Sequence, residues 1–564
     1  MQKTKFLLLI IIYILFSSEV FGQNLHLKIN GDNKTENQVI DSLNYSKIHK
    51  DYASILSEID TIQKKLFKIG YFENQKETKK INDSSYEAKF DLKKRYKTIH
   101  IYYNKHLIPS SILKLLSKQV FGTYFVLPIK NIESALHFIN SKQTEKGFPF
   151  SKLRLSNIII ETPDNLKADL MIDKKEGKRI INAIEIKGYE KFPKSFLKHY
   201  LKIKPRQLFD LNRIKIKIER LNNLRFANQI KAPEVLFTKD STTLYMYMEK
   251  LKSNTFDGFL GFGTNEQTKK INLNGYLNLK LTNNLNYGES FSLFYKSNQS
   301  EQKMFETNLT LPYILKTPVG MDLQLYIFKQ DSTFTTVNQA AKLHYQINTI
   351  NKVFTGIKST ESNNLLTPNN TSNIVNYKTN YVTVGYQLIK AQHFNRLFPI
   401  NASAFVETGF GKRKTLNAQV KQTLFTVDGF KIINLNLKHS LYLRLNATDL
   451  ISQTYFENEY SRFGGINSMR GFEENSLLAT SYALFNTEYR FQISNSIYIH
   501  SIFDLAFLDN RITNTNEKLY AYGFGFGILT KTGLFKLNYA NGKSENQPFK
   551  FSNSKIHISL TADF

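Results

Sequence analysis

The segment IYIHSIFDLAF, Ile497 to Phe507, has a period of two: Ile497, Ile499, Phe503 and Leu505 share one face of an extended chain, and His500 and Asp504 the other. Helical spacing would gather residues 3.6 apart instead, so the pattern predicts a strand with an apolar and a polar side. The alternation recurs in INLNGYLNLKL (Ile271 to Leu281), where Ile271, Leu273, Leu277 and Leu279 oppose Asn272, Asn274, Asn278 and Lys280. It returns in SFSLFYKS, MDLQLYIF, NASAFVET, HSLYLRLNA, LFNTEYRF, YAYGFGFGI, LFKLNYA and KIHISLTADF. From Phe256 onward the helical period is absent. About 310 residues, at roughly 19 per strand and turn, make roughly 16 strands. Asp428-Gly429 predicts a two-residue hairpin turn, although strand boundaries between Thr333 and Leu450 are not separately legible. A soluble sandwich is the alternative. The number of strands, the Asn, Lys and Gln opposite the apolar face, and the abundance of Tyr and Phe for interface girdles favour a closed membrane barrel.

Upstream, strand-like and helix-like segments alternate three times. LHLKI (Leu25 to Ile29), helical EIDTIQKKLFKIGYF (Glu58 to Phe72) and YEAKFDL (Tyr86 to Leu92) form the first set. The second is TIHIYY (Thr98 to Tyr103), helical IESALHFINSKQTEKGFPF (Ile132 to Phe150), LRLSNIII (Leu153 to Ile160) and KADLMIDKK (Lys167 to Lys175). The third is AIEIKGY (Ala183 to Tyr189), helical RIKIKIERLNNLRFA (Arg213 to Ala227) and TLYMYMEK (Thr243 to Lys250). Gly70-Tyr71, Gly147-Phe148 and Arg225-Phe226 close the helices at intervals of roughly 75 to 80 residues, the spacing of small repeated domains. A glycine after a helix is also an ordinary cap, so the recurrence carries the reading. The predicted division is 23–96, 97–178 and 179–253 for three α+β modules and 254–564 for the barrel.

Residues 1–22 read as a secretory signal: Lys3 and Lys5, an apolar run from Phe6 to Phe16, and Val20-Phe21-Gly22 before Gln23. An uncleaved anchor is the alternative, but the run is short for a bilayer. The chain has no cysteine, which excludes disulfides, thiolate metal sites, a catalytic thiol and a lipidated cysteine. A net charge of +29 would ordinarily suggest nucleic acid, but export argues against that partner and leaves anionic lipid, acidic unfolded chains or general solubility. Walker loops and His-Glu-x-x-His helices are absent from the sequence. His500 and Asp504 on one strand face read as structural. No catalytic residue, metal site or cofactor is expected.

One long loop interrupts the strands: RFGGINSMRGFEEN, Arg462 to Asn475. Its Arg470-Gly471-Phe472 step, the preceding RFGG and the order of modules, loop and strands resemble the outer-membrane assembly family that includes BamA, TamA and the two-partner secretion transporters. The resemblance implies POTRA modules in the periplasm followed by an antiparallel transmembrane β-barrel of 16 strands in the bacterial outer membrane. It also implies that the loop folds into the lumen. By the period of two, FNTEYRF (Phe485 to Phe491) points Asn486, Glu488 and Arg490 inward, and YAYGFGFGI points Gly523, Gly525 and Gly527 inward. Arg470 is expected to pair with Asp504, with Glu488 and Arg490 nearby; a solvated loop is the alternative.

The last strand, KIHISLTADF, sets Ile556, Ile558, Leu560, Ala562 and Phe564 toward lipid, and the first, TFDGFLGFG, carries Gly258, Gly261 and Gly263. Glycines weaken a strand, so this seam is expected to open easily, or else they relieve crowding at the barrel base. In the resembled family the seam is a lateral gate. Expected partners are unfolded outer-membrane or secreted proteins, outer-membrane lipids and possible accessory assembly subunits. The expected function is insertion of captured chains, with a dedicated two-partner secretion pore as the alternative. That subfamily generally carries two modules, a plug helix and a Pro-rich linker, none of which is apparent. A passive porin has no use for the modules.

Overall fold

The computed structural model describes residues 24–173, 177–264, 271–297, 302–366, 373–392, 395–530, 533–545 and 550–563. The signal segment 1–22 and Phe564 lie outside the described residues. One compact unit runs to Ile180 and includes Leu208–Asp210; the other holds Ile181–Gln207 and the chain from Leu211.

The first unit contains two modules. In the first, Leu25–Gly31 lies parallel to Ser85–Asp91, with Gln75–Asn82 on the far side of the latter. Helix Tyr52–Lys68 starts where Asp51 accepts from the Ser54 N–H at 2.7 Å. It buries Ile55, Ile59, Ile62 and Leu66 against Leu27, Ile29, Ala88 and Phe90. The helix ends at Gly70 (φ +105°), where a Cβ would lie 2.0 Å from the Tyr96 carbonyl oxygen, so side chain and backbone both require glycine. In the second module, Thr98–Tyr102 lies parallel to Asn165–Asp173, and helix Ile132–Glu145 covers Ile99, Ile101, Phe125 and Leu127. Gly147 (φ +88°) closes that helix in the same manner.

The third module opens the second unit. Ala183–Lys187 runs parallel to Thr242–Lys250, which pairs with Ala227–Phe237 on its other side. Here helix Leu211–Glu219 leaves through the 3-10 turn Arg220–Asn223 into extended Leu224, so Arg225-Phe226 is not a glycine cap. Three strands of the modules longer than two residues escaped the sequence pattern: Gln75–Asn82, Tyr124–Pro128 and Ala227–Phe237. The first is polar except for a single exposed Ile81, and the last is broken by register shifts at Gln229–Lys231 and Lys231–Glu234.

Sixteen antiparallel strands then close into a barrel. They are β1 (Thr255–Thr264), β2 (Ile271–Thr282), β3 (Ser290–Ser297), β4 (Lys303–Leu311), β5 (Val319–Gln330), β6 (Phe334–Gln346), β7 (Asn351–Asn364) and β8 (Tyr377–Ala391). The second half is β9 (Ile400–Lys414), β10 (Gln419–Asn434), β11 (His439–Ser452), β12 (Ser481–Gln492), β13 (Ile497–Asn510), β14 (Thr515–Leu529), β15 (Gly533–Ser544) and β16 (Ser554–Asp563). The outer face exposes Val382, Phe410, Phe503, Phe524 and Ile556, while inward-facing Lys342 and Glu407 pair at 2.5 Å. The turn expected at Asp428-Gly429 is not there. Both residues lie inside β10, opposite Phe405 and Ala404, and Asp428 accepts from Arg444 Nε at 2.9 Å. A dipeptide that favours a tight turn is overridden by ladders on both sides of the strand.

Candidate functional site

The loop between β11 and β12, residues 453–480, enters the barrel and is held at three levels. At the rim, Arg413 of β9 pairs with Glu459 through its guanidinium and donates to the Thr454 carbonyl at 3.0 Å. Arg413 lies 4.0 Å over the Phe456 ring and is only 1% exposed. Gln422 Nε2 and the Phe456 N–H also donate to Glu459, at 2.8 and 3.0 Å. Beside it, Asn458 donates to Ser362 Oγ of β7 and to the Val375 carbonyl, just before β8, each at 2.8 Å. Lower down, Ser461–Phe463 pairs with Leu477–Ala479, Phe463 stacks on Tyr482 at 4.2 Å, and Arg462 lies 5.1 Å over Phe328.

The third level is Arg470. Its Nε and a terminal nitrogen donate to the two Asp504 oxygens at 2.9 and 2.5 Å, its backbone N–H donates to the same carboxylate at 3.1 Å, and its remaining nitrogen pairs with Glu488. Arg490 holds the other Glu488 oxygen at 2.7 Å. Asp504 is 0% exposed and Arg470 4%. Such buried charge is tolerated where each carboxylate meets directional donors, which the rigid guanidinium fork supplies. The strand period aims Asp504 and Glu488 inward from β13 and β12, and the loop brings their cation.

Gly471 turns the chain at φ +82°, with a would-be Cβ 2.5 Å from the Gly542 nitrogen. Phe472 packs where a Gly542 side chain would stand. Two glycines thus let the loop touch the backbone of β15. Beyond them Glu473 pairs with Lys555 of β16 at 2.9 Å, and Glu474 with Lys296 of β3 at 3.5 Å. Beneath Arg490, Leu397 and Phe398 of the β8–β9 turn join a cluster with Ile432 and Tyr498, and Arg490 lies 4.4 Å over Phe398.

The structure therefore gathers Arg470, Gly471, Phe472, Asp504, Glu488 and Arg490 at one place, and sets Gly258, Gly261 and Gly263 on β1. Sequence reasoning missed Arg413, Glu459, Asn458 and the Glu473-Glu474 step. The doubled acid next to Arg470-Gly471-Phe472 was a usable signal; Arg413, inside the basic run Lys412–Lys414, was not.

At the seam, β1 and β16 pair through Thr255 with Asp563 and Phe256 with Ala562, and through no further residue of these described strands. On its other edge β1 pairs with β2 along its whole length, from Thr255 with Lys280 to Thr264 with Ile271. A Cβ at Gly258 would lie 2.5 Å from the Tyr276 carbonyl oxygen, so this glycine serves the close approach of β2.

Residues 277–557 match the Omp85 superfamily domain, and residues 180–249 match the POTRA family described as surface antigen variable number repeat. The chain belongs to the Omp85 superfamily. Among solved structures, this Omp85 protein is similar to BamA from Haemophilus ducreyi lacking POTRA domains 1-3, at 14% identity and TM-score 0.50, over 82% of this chain and 99% of that one. It is also similar to CdiB from Acinetobacter baumannii (15%, TM-score 0.51) and from Escherichia coli (13%, TM-score 0.51), each over 83% of this chain and 90% of the other. These likenesses concern the fold. No curated protein matches by sequence. An Omp85 barrel with N-terminal POTRA modules lies in the bacterial outer membrane with its modules in the periplasm. Omp85 proteins are transporters or assembly factors, and this one serves outer-membrane protein insertion or secretion.

The rim anchor of this Omp85 barrel gives a direct test. Arg413→Ala strands Glu459 without its cation and is expected to cost roughly 3–5 kcal/mol. The readout is a lower temperature for conversion of the folded barrel to its unfolded form in gel mobility. An unchanged midpoint would remove the anchor from the account.

Proposed function

We propose that this protein is an assembly factor that captures unfolded outer-membrane chains in the periplasm and inserts them at a laterally opening seam, without nucleotide or other cofactor. The observation that carries the reading is the seam of two residue pairs. Asp257 to Thr264 on β1 and Ser554 to Thr561 on β16 leave edge N–H and C=O groups without a ladder, about four residues per strand by the antiparallel pattern. Unpaired backbone groups are costly in hydrocarbon, and an incoming strand satisfies them by edge pairing. Capture would use the sheet edges of the modules. Strand Lys152–Thr162 is an edge with Ile158, Ile159 and Ile160 exposed, suited to an apolar extended segment. Lipids and accessory subunits would act at the same seam and modules.

A dedicated secretion pore would need passage through the lumen. There the docked loop divides the space into cavities of about 320 Å³ beside Arg462 and about 160 Å³ around Arg470 and Arg490, so the loop would have to move. Depletion of the protein followed by outer-membrane proteomics separates the readings. Loss of many barrel proteins is expected. A single missing secreted protein would reassign the chain as a secretion pore, and altered solute uptake alone would make it a passive channel.

A further inference from the structure

Two periplasmic turns, residues 283–289 between β2 and β3 and 312–318 between β4 and β5, form a joint with the third module. Tyr189 donates to Asn286 Oδ1 at 2.9 Å and accepts from Asn283 Nδ2 at 2.6 Å. Phe196 meets Tyr313 edge to face at 5.0 Å and packs so closely on Gly288 that a Cβ there would lie 1.9 Å from its ring. His199 Nε2 lies 3.0 Å from the Lys316 carbonyl oxygen.

Beside this joint opens a cleft of about 700 Å³, bounded by Lys191, Lys194, Lys198, Tyr287, Leu315 and Lys316. None of the four lysines is paired with a carboxylate among the described residues, and Glu190 is the one acid on the cleft wall. The neighbouring side chains are apolar yet exposed: Leu315 89%, Tyr287 72% and Leu285 70%. Leu315 and Lys316 sit at φ +50° and +60°, a backbone region that side-chain-bearing residues seldom occupy. The turn thus holds a leucine outward at a conformational cost. These residues lie just past Leu281, Phe291 and Leu311, near the ends of β2, β3 and β4, where hydrocarbon gives way to headgroups.

We propose that this cleft binds an anionic phospholipid of the periplasmic leaflet. The lysines take its phosphate, and Leu315, Tyr287 and Leu285 rest against its acyl chains. Charge complementarity and continuity with the bilayer select this occupant: four unpaired cations suit a phosphodiester, and exposed apolar side chains beside them suit lipid tails. The site is independent of which client the barrel handles.

The test uses the full chain in nonionic detergent, titrated with phosphatidylglycerol or phosphatidylethanolamine and read by native mass spectrometry. The wild type is expected to retain phosphatidylglycerol in preference. The variant K191Q/K194Q/K198Q/K316Q is expected to lose that preference by at least about fivefold, given the contribution of each lysine near an anionic surface. A control, K412Q/K414Q/K421Q, removes charge at the extracellular end and is expected to behave as wild type. Equal retention of both lipids by the wild type, an unchanged quadruple variant, or an equal loss in the control would overturn the proposal. Retention of a poly-glutamate peptide in place of lipid would overturn it too, by making an acidic chain the ligand.

Discussion

Arg470→Ala is expected to reduce assembly of client barrels to near the level of a depleted cell. Removing the guanidinium leaves Asp504 and Glu488 facing each other in a closed site, with Arg490 able to serve only the latter. Breaking a buried pair in this way costs roughly 3–5 kcal/mol, because the surviving charge has lost its partner. That is enough to release the loop while the strand ladders of the barrel persist. Folded-barrel mobility on unheated gels should therefore remain, while an external protease gains access to the Gly464-Gly465 turn. Arg470→Lys restores the charge but not the fork that meets two Asp504 oxygens and Glu488 together, and should recover part of the activity. If Arg470→Asp and Asp504→Arg were each harmless, the docked loop would have no functional role.

A disulfide across the seam is expected to have an effect as large. Phe256 and Ala562 are opposite neighbours on β1 and β16, within the separation that antiparallel partners bring to a disulfide. The chain contains no cysteine, so F256C/A562C can form only this bridge within one molecule. In the oxidised form client assembly should cease, and a reductant should restore it. Full activity of the oxidised protein would show that β1 and β16 need not part there, and would remove the lateral route.

Much of the architecture was legible because it rests on local periodicity. A strand turns its side chains to alternate faces whatever surrounds it, so Asp504, Glu488 and Arg490 could be assigned to one wall before any contact was known. The helices of the first two modules end at Gly70 and Gly147 for a reason also local to the backbone. Where local preference met a competing ladder it misled, as at Asp428-Gly429. Where a strand such as Gln75–Asn82 had no apolar face, period carried no signal.

By itself, then, the sequence of this protein determined a modular amino-terminal half, a strand-only half with an apolar outside, and the identity of the charges on its inner wall. Tertiary structure alone decided that Arg413 meets Glu459, that Glu473 and Glu474 reach Lys555 and Lys296 on two different strands, and that β1 and β16 share only two residue pairs. These contacts join residues 46, 82 and 178 positions apart in the first three cases, and several hundred at the seam. Such partners are chosen by barrel closure and by the path of one loop through the lumen, and neither leaves a mark on the spacing of nearby residues.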